Sequence, residues 1–144
     1  MKIRNYSNDD YSSIVSIYNV CKLDELQFEE EPFLLLPLEQ DQQRLSATLE
    51  SEIVVYEDEE ILGYAAFFES ELRALFVLPS DRGKGIGKAL LAFVLSKVGE
   101  GVSLQVVKSN APAVSLYLAY GFTITGESVV KYNNKSVLVC KMQC

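Results

Sequence analysis

A glycine-rich heptapeptide, RGKGIGK at residues 82–88, constrains the fold of this chain more than any other segment. An apolar strand-like run at residues 72–78 precedes it, and an apolar helix-like run at residues 89–98 follows it. Glycine lets the backbone turn tightly and approach a ligand closely. The free amides and the positive dipole end of a following helix favour a bound phosphate group. The sequence therefore predicts a strand, an anion-binding turn and a helix.

Spacing separates this segment from two common phosphate-binding motifs. The nucleotide P-loop requires Gly, four residues and then Gly-Lys-Ser/Thr, whereas here Arg82 stands at the first position and Ala89 at the last. The dinucleotide fingerprint requires Gly-x-Gly-x-x-Gly, whereas Lys88 takes the place of its third glycine. A nucleotide-binding regulator is thus disfavoured, and the pattern that remains is Arg-x-x-Gly-x-Gly.

This pattern resembles the pyrophosphate-binding signature of the GCN5-related N-acetyltransferase (GNAT) family, whose members bind acetyl-coenzyme A (acetyl-CoA). A second segment, NAPAVSLYLAYGF at residues 110–122, resembles the later motif of that family, in which an Asn opens a helix, a Tyr lies on its inner face and Gly-Phe ends it. The resemblance covers residues 69–122 well, and it implies an α/β fold with the mixed sheet of the GNAT acyl-CoA N-acyltransferases.

The pattern of apolar runs and turn residues predicts the element order βααβββαβαββ. In the resemblance, the strands at 71–78 and 102–107 run parallel and splay apart, and the pantetheine arm of the cofactor lies between them. Strands are predicted at 3–6, 53–56, 61–68, 71–78, 102–107, 122–130 and 135–142, and helices from Asn8 or Asp9 to 21 and at 38–49, 87–98 and 110–120.

Composition limits the functional class. A chain of 144 residues with 49% hydrophobic and 23% charged residues predicts one globular domain, 1–144. We expect a cytoplasmic protein without a membrane partner, because no apolar stretch has transmembrane length and no signal-type segment opens the chain. The net charge of −7 argues against nucleic acid. There is no histidine, and the three cysteines lack metal-type spacing, so no metal is expected.

The resemblance implies a set of cofactor-binding residues. Backbone groups of the strand before the turn would pair with the pantetheine arm, and one of their amides would polarise the thioester carbonyl. Lys84 and Lys88 are four residues apart, so they are expected on one helix face, where solvation is the competing interpretation. Asn110 is equally explained as a helix N-cap. The set is Leu75, Phe76, Val77, Arg82, Gly83, Lys84, Gly85, Ile86, Gly87, Lys88 and Asn110.

Two residues are predicted to be catalytic. By its position in the resemblance, Tyr117 is the proton donor to the departing coenzyme A thiolate, and an ordinary core aromatic is the competing interpretation. Glu71 aligns with the glutamate that the histone-modifying branch uses as general base. Other branches place the acid two residues later, where this chain has Arg73. Glu71 and Arg73 share a strand face, so an ion pair is the alternative, and Glu69 and residues 29–31 are further acidic candidates.

These features predict an N-acetyltransferase that transfers an acetyl group from acetyl-CoA to a primary amine by direct attack in a ternary complex. The acceptor is a small molecule or a peptide, and an acidic surface suits a cationic one. Pairing of the C-terminal strands would give a homodimer. The alternative function is a coenzyme A-binding sensor or interaction module that does not catalyse transfer.

Overall fold

The computed structural model describes residues 2–144, and these form one mixed α/β unit with the predicted order βααβββαβαββ. Short 3₁₀ turns lie at Asn8–Asp10, Leu38–Gln40 and Pro79–Asp81. The strands are β1 (Lys2–Asn5), β2 (Glu52–Asp58), β3 (Glu60–Phe68), β4 (Glu71–Val77), β5 (Ser103–Val107), β6 (Thr123–Tyr132) and β7 (Lys135–Gln143), and the helices are α1 (Tyr11–Asp24), α2 (Gln42–Glu50), α3 (Ile86–Val98) and α4 (Ala111–Ala119).

All seven strands form one sheet in the order β1-β2-β3-β4-β5-β7-β6. Neighbouring strands are antiparallel except β4 and β5, which are parallel and pair only through Glu71 with Ser103 and Leu72 with Leu104. Beyond these two pairs the strands separate, although each has further residues. The predicted splay between parallel strands is therefore confirmed, and it opens the middle of the sheet.

A β-bulge lies where this opening begins. Ala66 of β3 pairs with Ala74 of β4, but Phe67 pairs with Leu72, so Arg73 is one extra residue on β4. A bulge bends its strand and changes the direction of the following side chains. The bulge thus turns β4 away at the point where its pairing with β5 ends.

Helices cover both faces of the sheet. Ile14, Ile17, Tyr18 and Cys21 follow one another at helical spacing on α1 and are buried against one face of the sheet. On the other face, the helix after the glycine turn buries Ile86, Leu90, Leu91 and Val94 among strand residues that include Leu72 and Leu104. Leu90, Leu91 and Val94 are fully buried, so this helix holds the glycine turn against the sheet.

A charged network holds the start of α1 against the edge of the sheet. The Asp10 side chain is 6% exposed and accepts two hydrogen bonds from Arg4, at 2.8 and 2.9 Å. It also accepts from the Ser7 amide at 2.9 Å, and Arg4 donates to Glu57 of β2. The helix α1 begins later than predicted, because a 3₁₀ turn occupies Asn8–Asp10. Asp10, rather than Asn8 or Asp9, is the N-cap of α1.

In residues 2–144, no helix combines the length and apolarity needed to cross a membrane. The same residues contain no group of three His, Cys, Asp or Glu side chains arranged to hold a metal ion.

Candidate active site

The opening between β4 and β5 is a cavity of about 950 Å³ that reaches both faces of the sheet. Tyr18, Tyr64 and Phe76 line it on the α1 side, and Leu104, Val106 and Tyr117 line it on the side of α3 and α4. Two ligands that enter from opposite faces can therefore meet inside the sheet. The predicted site residues that line it are Glu71, Leu75, Phe76, Val77, Arg82, Gly83, Gly85, Ile86, Gly87, Lys88, Asn110 and Tyr117.

The glycine turn forms one wall of this cavity. Gly83 and Gly85 have φ angles of +79° and +85°, a left-handed conformation that glycine adopts without steric cost. The first helical hydrogen bond runs from the Ala89 amide to the Gly85 carbonyl oxygen at 3.0 Å. The amides from Gly85 to Lys88 therefore precede that bond, at the positive end of the helix. This geometry fits a pyrophosphate group.

The three basic residues of the turn have different environments. Arg82 donates to the Val77 carbonyl oxygen at 3.0 Å and pairs with Asp24 of α1 at 3.1 Å. Lys84 pairs with Asp81 at 3.1 Å and does not line the cavity. The expectation that Lys84 and Lys88 share a helix face is wrong, because Gly85 has a positive φ and the helix begins at Ile86, after Lys84. Lys88 is exposed and lines the cavity.

The backbone of β4 borders the opening, since β5 does not pair with it beyond Leu72. The Val77 carbonyl oxygen accepts from Arg82 at 3.0 Å and from the Cys21 thiol at 3.3 Å. That carbonyl is therefore engaged within the protein. Leu75 and Phe76 also line the cavity. Their backbone is the part of the predicted site that neither Arg82 nor Cys21 occupies.

Tyr117 lies on the opposite wall, on the helix that Asn110 opens. Asn110 occupies the N-cap position, but its side chain makes no capping hydrogen bond. The Tyr117 side chain is buried and packs edge-to-face on Phe122, with ring centroids 5.6 Å apart. Burial, with a smaller effect of the Glu25 charge, raises the pKa of Tyr117 well above its usual range. The phenol is therefore protonated at neutral pH.

Comparison with known families decides the membership of this chain. A family model described as an acetyltransferase (GNAT) domain matches residues 50–124, which is more than half of the chain. The chain belongs to the GNAT family. The matched part contains the glycine turn, β4 and the helix of Tyr117, whereas the cavity residues of α1, α2 and β6 lie outside it.

Individual GNAT relatives match only about half of this chain. The chain is 35% identical over 78 residues to the peptidyl-lysine N-acetyltransferase YjaB of Salmonella typhimurium, covering 54% of this chain and 53% of the relative. It is 39% identical over 69 residues to the peptidyl-lysine N-acetyltransferase YiaC of Escherichia coli, covering 47% of each. The aligned part thus spans about half the length of these curated relatives.

Solved structures share the GNAT fold over almost the whole chain. A ribosomal-protein-alanine N-acetyltransferase from Brucella melitensis superposes with a TM-score of 0.75 at 19% identity, covering 100% of this chain and 99% of that one. A phosphinothricin acetyltransferase from Sinorhizobium meliloti in complex with acetyl-CoA superposes with a TM-score of 0.69 at 23% identity, covering 99% and 86%. These similarities establish the fold.

The GNAT chain holds its predicted base in an ion pair. Arg73 binds Glu71 at 2.9 Å and Glu50 of α2 at 2.6 Å. The Glu71 side chain is 50% exposed at the edge of the cavity. Glu71 and Arg73 therefore form the ion pair that was the alternative to a catalytic role for Glu71. The other acidic candidates, Glu69 and residues 29–31, do not line the cavity.

Two polar residues of the cavity wall were missed from the sequence. Glu25 directly follows α1, and its Oε2 atom accepts a hydrogen bond from the Tyr132 hydroxyl at 2.9 Å. Tyr64 of β3 lines the cavity and is fully buried, and no group of residues 2–144 forms a hydrogen bond with its hydroxyl. Glu25 falls between the predicted helices that end at 21 and begin at 38, and Tyr64 falls within the predicted strand 61–68. Only the strand order brings both to one site.

Proposed function

We propose that this chain is an N-acetyltransferase that transfers the acetyl group of acetyl-CoA to a primary amine by direct attack in a ternary complex. The observation that carries this proposal is the cavity between β4 and β5, which reaches both faces of the sheet. The glycine turn lies on one side, and the protonated Tyr117 phenol lies in its wall. An acyl donor and an amine can meet there without a carrier residue.

The donor would be held by residues that the chain presents in order along the cavity. The amides from Gly85 to Lys88 and the exposed Lys88 ammonium suit its pyrophosphate. The Asn110 side chain and the backbone edge at Leu75 and Phe76 suit its pantetheine amides. Arg82 would act indirectly, because its ion pair with Asp24 shapes the turn. Bound acetyl-CoA supplies the thioester carbonyl carbon that the amine attacks.

Tyr117 would supply a proton as the bond from carbon to sulfur breaks. A coenzyme A thiol has an ordinary pKa of about 8.5, and burial raises the pKa of Tyr117 above its usual value of about 10. The raised pKa keeps the phenol protonated but also makes it a weaker acid than the thiol, so transfer to the sulfur is uphill and would occur only as negative charge develops on the sulfur next to it. The ammonium group of the acceptor would first lose a proton to water. As the bond from nitrogen to the acetyl carbon forms and the bond from carbon to sulfur breaks, the nitrogen would lose a second proton to water and the sulfur would take the proton of Tyr117. The Tyr117 phenolate would then regain a proton from water.

Direct attack is favoured over an acyl-cysteine route by the state of the cysteine in the wall. Cys21 is 2% exposed and donates its hydrogen to the Val77 carbonyl. Burial raises the pKa of Cys21, which keeps it a thiol, whereas the thiolate is the nucleophile. Cys140 and Cys144 do not line the cavity.

A lysine side chain is the acceptor class that we propose to test first. The relatives YjaB and YiaC are named peptidyl-lysine N-acetyltransferases, and the net charge of −7 attracts basic peptides. Peptides of one sequence, with one lysine or with norleucine in its place and with the N-terminus blocked, separate side-chain transfer from terminal transfer.

The first experiment is thermal unfolding with acetyl-CoA, coenzyme A, ATP and NAD side by side. A ligand at a hundred times its dissociation constant stabilises a protein by about 2.7 kcal/mol. We expect stabilisation by the two coenzyme A species alone, followed by thiol release when the lysine peptide is added. Stabilisation by ATP or NAD instead, or by none of the four, would contradict the proposal.

A second candidate function is a coenzyme A-binding module that does not catalyse transfer, and the ion pair between Glu71 and Arg73 favours it. In that case the donor stabilises the protein, but no amine releases thiol from it. Thiol release with the lysine peptide and none with the norleucine peptide would exclude this candidate.

A further inference from the structure

Strand β6 leaves one long edge of the sheet open. It is the last strand in the order β1-β2-β3-β4-β5-β7-β6 and has ten residues, whereas β1, at the other edge, has four. An edge strand presents unpaired amides and carbonyls to which another strand can bind. A bulge lies between Ile124 and Gly126, and the pairing with β7 is regular from Glu127 to Tyr132. This regular part of the edge can therefore accept a further strand.

The neighbouring strands show which backbone groups of β6 point outward. In an antiparallel pair, residues that exchange hydrogen bonds alternate with residues whose amides and carbonyls point away from the partner strand. The Leu138 carbonyl oxygen of β7 accepts from the Lys108 amide, directly after β5, at 3.0 Å. The backbone groups of Leu138 thus point to β5, and those of Val129, which lies opposite Leu138 on β6, point to the open edge. By alternation, the backbone groups of Glu127 and Lys131 also point outward.

The side chains of these three β6 residues share one face of the sheet, because they stand at alternate positions. Val129 is 63% exposed, and Leu138 opposite it is 40% exposed, so an apolar pair lies open beside the edge. Glu127 stands on one side of Val129 and pairs with Lys108 at 2.7 Å, which holds its carboxylate on this face. Lys131 stands exposed on the other side. The outward edge therefore reads acid, apolar, base.

This charge pattern selects one register for a second copy of the strand. Two antiparallel copies related by a two-fold axis at Val129 place the two Val129 side chains opposite each other. Glu127 of each copy then lies opposite Lys131 of the other, because both are two residues from the axis. Opposite charges across two strands stabilise the pair, and like charges destabilise it. An axis at Glu127 or at Lys131 would set like charges opposite each other, and an axis at position 128 or 130 would set one of the charges opposite Val129.

We propose that residues 127–131 of β6 form an interface at which a second copy of this chain continues the sheet. The outward amides and carbonyls of Glu127, Val129 and Lys131 pair with those of the copy, and two Glu127–Lys131 ion pairs flank the central Val129 contact. Each copy contributes the same surface, so the assembly closes at two chains and joins two seven-stranded sheets into one. This inference concerns assembly and does not depend on the proposed function.

Sedimentation equilibrium tests this interface. The average mass of the wild type should rise with concentration from the 16.1 kDa of one chain towards twice that value. Lys131→Glu sets two carboxylates opposite each other at both ends of the pairing, so we expect the dissociation constant of the dimer to rise at least about tenfold. Lys141→Glu is the matched control, because it makes the same charge change at an exposed residue of β7 whose side chain alternates to the opposite face from Leu138. Its dissociation constant should equal that of the wild type.

A charge swap separates the ion pairs from a general effect on β6. Glu127→Lys alone should also weaken the dimer, whereas Glu127→Lys combined with Lys131→Glu restores opposite charges across the two-fold axis. The dissociation constant of the double variant should fall below those of both single variants, although Lys108 next to position 127 limits the recovery. A strand that was merely distorted by either change would not recover.

Three results would overturn the proposed interface. The first is a wild type that stays at 16.1 kDa up to its highest soluble concentration. The second is a dimer whose dissociation constant is unchanged in both single variants, because its interface then lies elsewhere. The third is a monomer that gains mass only with the lysine peptide, because the open edge then binds a peptide strand rather than a second copy of the chain.

Discussion

Replacing Tyr117 by Phe tests the proposed chemistry most directly. The change removes one oxygen atom and keeps the ring that packs on Phe122 at 5.6 Å. A positioned general acid accelerates a reaction by about 10²–10⁴-fold, which corresponds to about 3–5 kcal/mol at 1.36 kcal/mol per factor of ten. We therefore expect kcat to fall by that factor. The melting temperature should change little, because the ring contact is kept.

The assay is continuous thiol release under saturating acetyl-CoA and lysine peptide. Both KM values should remain near those of the wild type, since the hydroxyl acts on the leaving sulfur rather than on binding. Tyr120→Phe is the matched control, because Tyr120 lies three residues further on and does not line the cavity. A kcat within about threefold of the wild type would refute the role of Tyr117, because that change is far below the range for a general acid.

Three further predictions concern the turn, the charge network and pH. Gly85→Ala should lower the free energy of unfolding by about 1–2 kcal/mol in urea and weaken acetyl-CoA binding, because φ is +85° there. Asp10→Asn should lower the melting temperature at pH 7 by about 5 °C. The hydrogen bonds from Arg4 lower the pKa of Asp10 in the folded protein. The wild type should therefore lose the stability that Asp10 contributes as the pH falls from about 3.9, the usual pKa of Asp, through the lower pKa of the folded protein. The Asn variant has no carboxylate at this position and should not show this loss. The raised pKa of Tyr117 predicts no loss of kcat from its ionisation below about pH 10.

The order of elements was predictable because local signals mark each boundary. Pro79 stops β4, Gly99 ends α3 with a φ of +89°, and the buried residues of α1 have helical spacing. The bulge at Arg73 was not predictable, since it depends on the register between two strands rather than on either strand alone. The extension of α1 to Asp24 was also missed, because the acidic run that follows has no apolar periodicity.

The glycine turn and Tyr117 could be singled out from the sequence, and the polar residues on the α1 side of the cavity could not, for the same reason. The glycine turn and Tyr117 lie in two short motifs whose spacing carries their meaning. Glu25 directly follows α1, whereas Tyr64 and Tyr132 lie on β3 and β6, and no local pattern relates the three residues. The spacing of Lys84 and Lys88 did not predict their positions, because the left-handed conformation of Gly85 separates Lys84 from the helix.

The sheet separates the two ligands, the acyl donor and the amine acceptor, that the proposed reaction must bring together. The α3 side suits an anionic donor, because amides and Lys88 face the cavity there. On the α1 side, Glu25 pairs with Lys22 at 3.1 Å and Arg44 lies over the Tyr132 ring. If both ligands entered from the α3 side, the acceptor would have to pass the amides and Lys88 that suit the donor. Because β4 and β5 pair only through Leu72 and Leu104 and the residues before them, the gap beyond those pairs joins the two faces. The bulge at Arg73 that opens this gap is therefore as important to direct transfer as the side chains that line it.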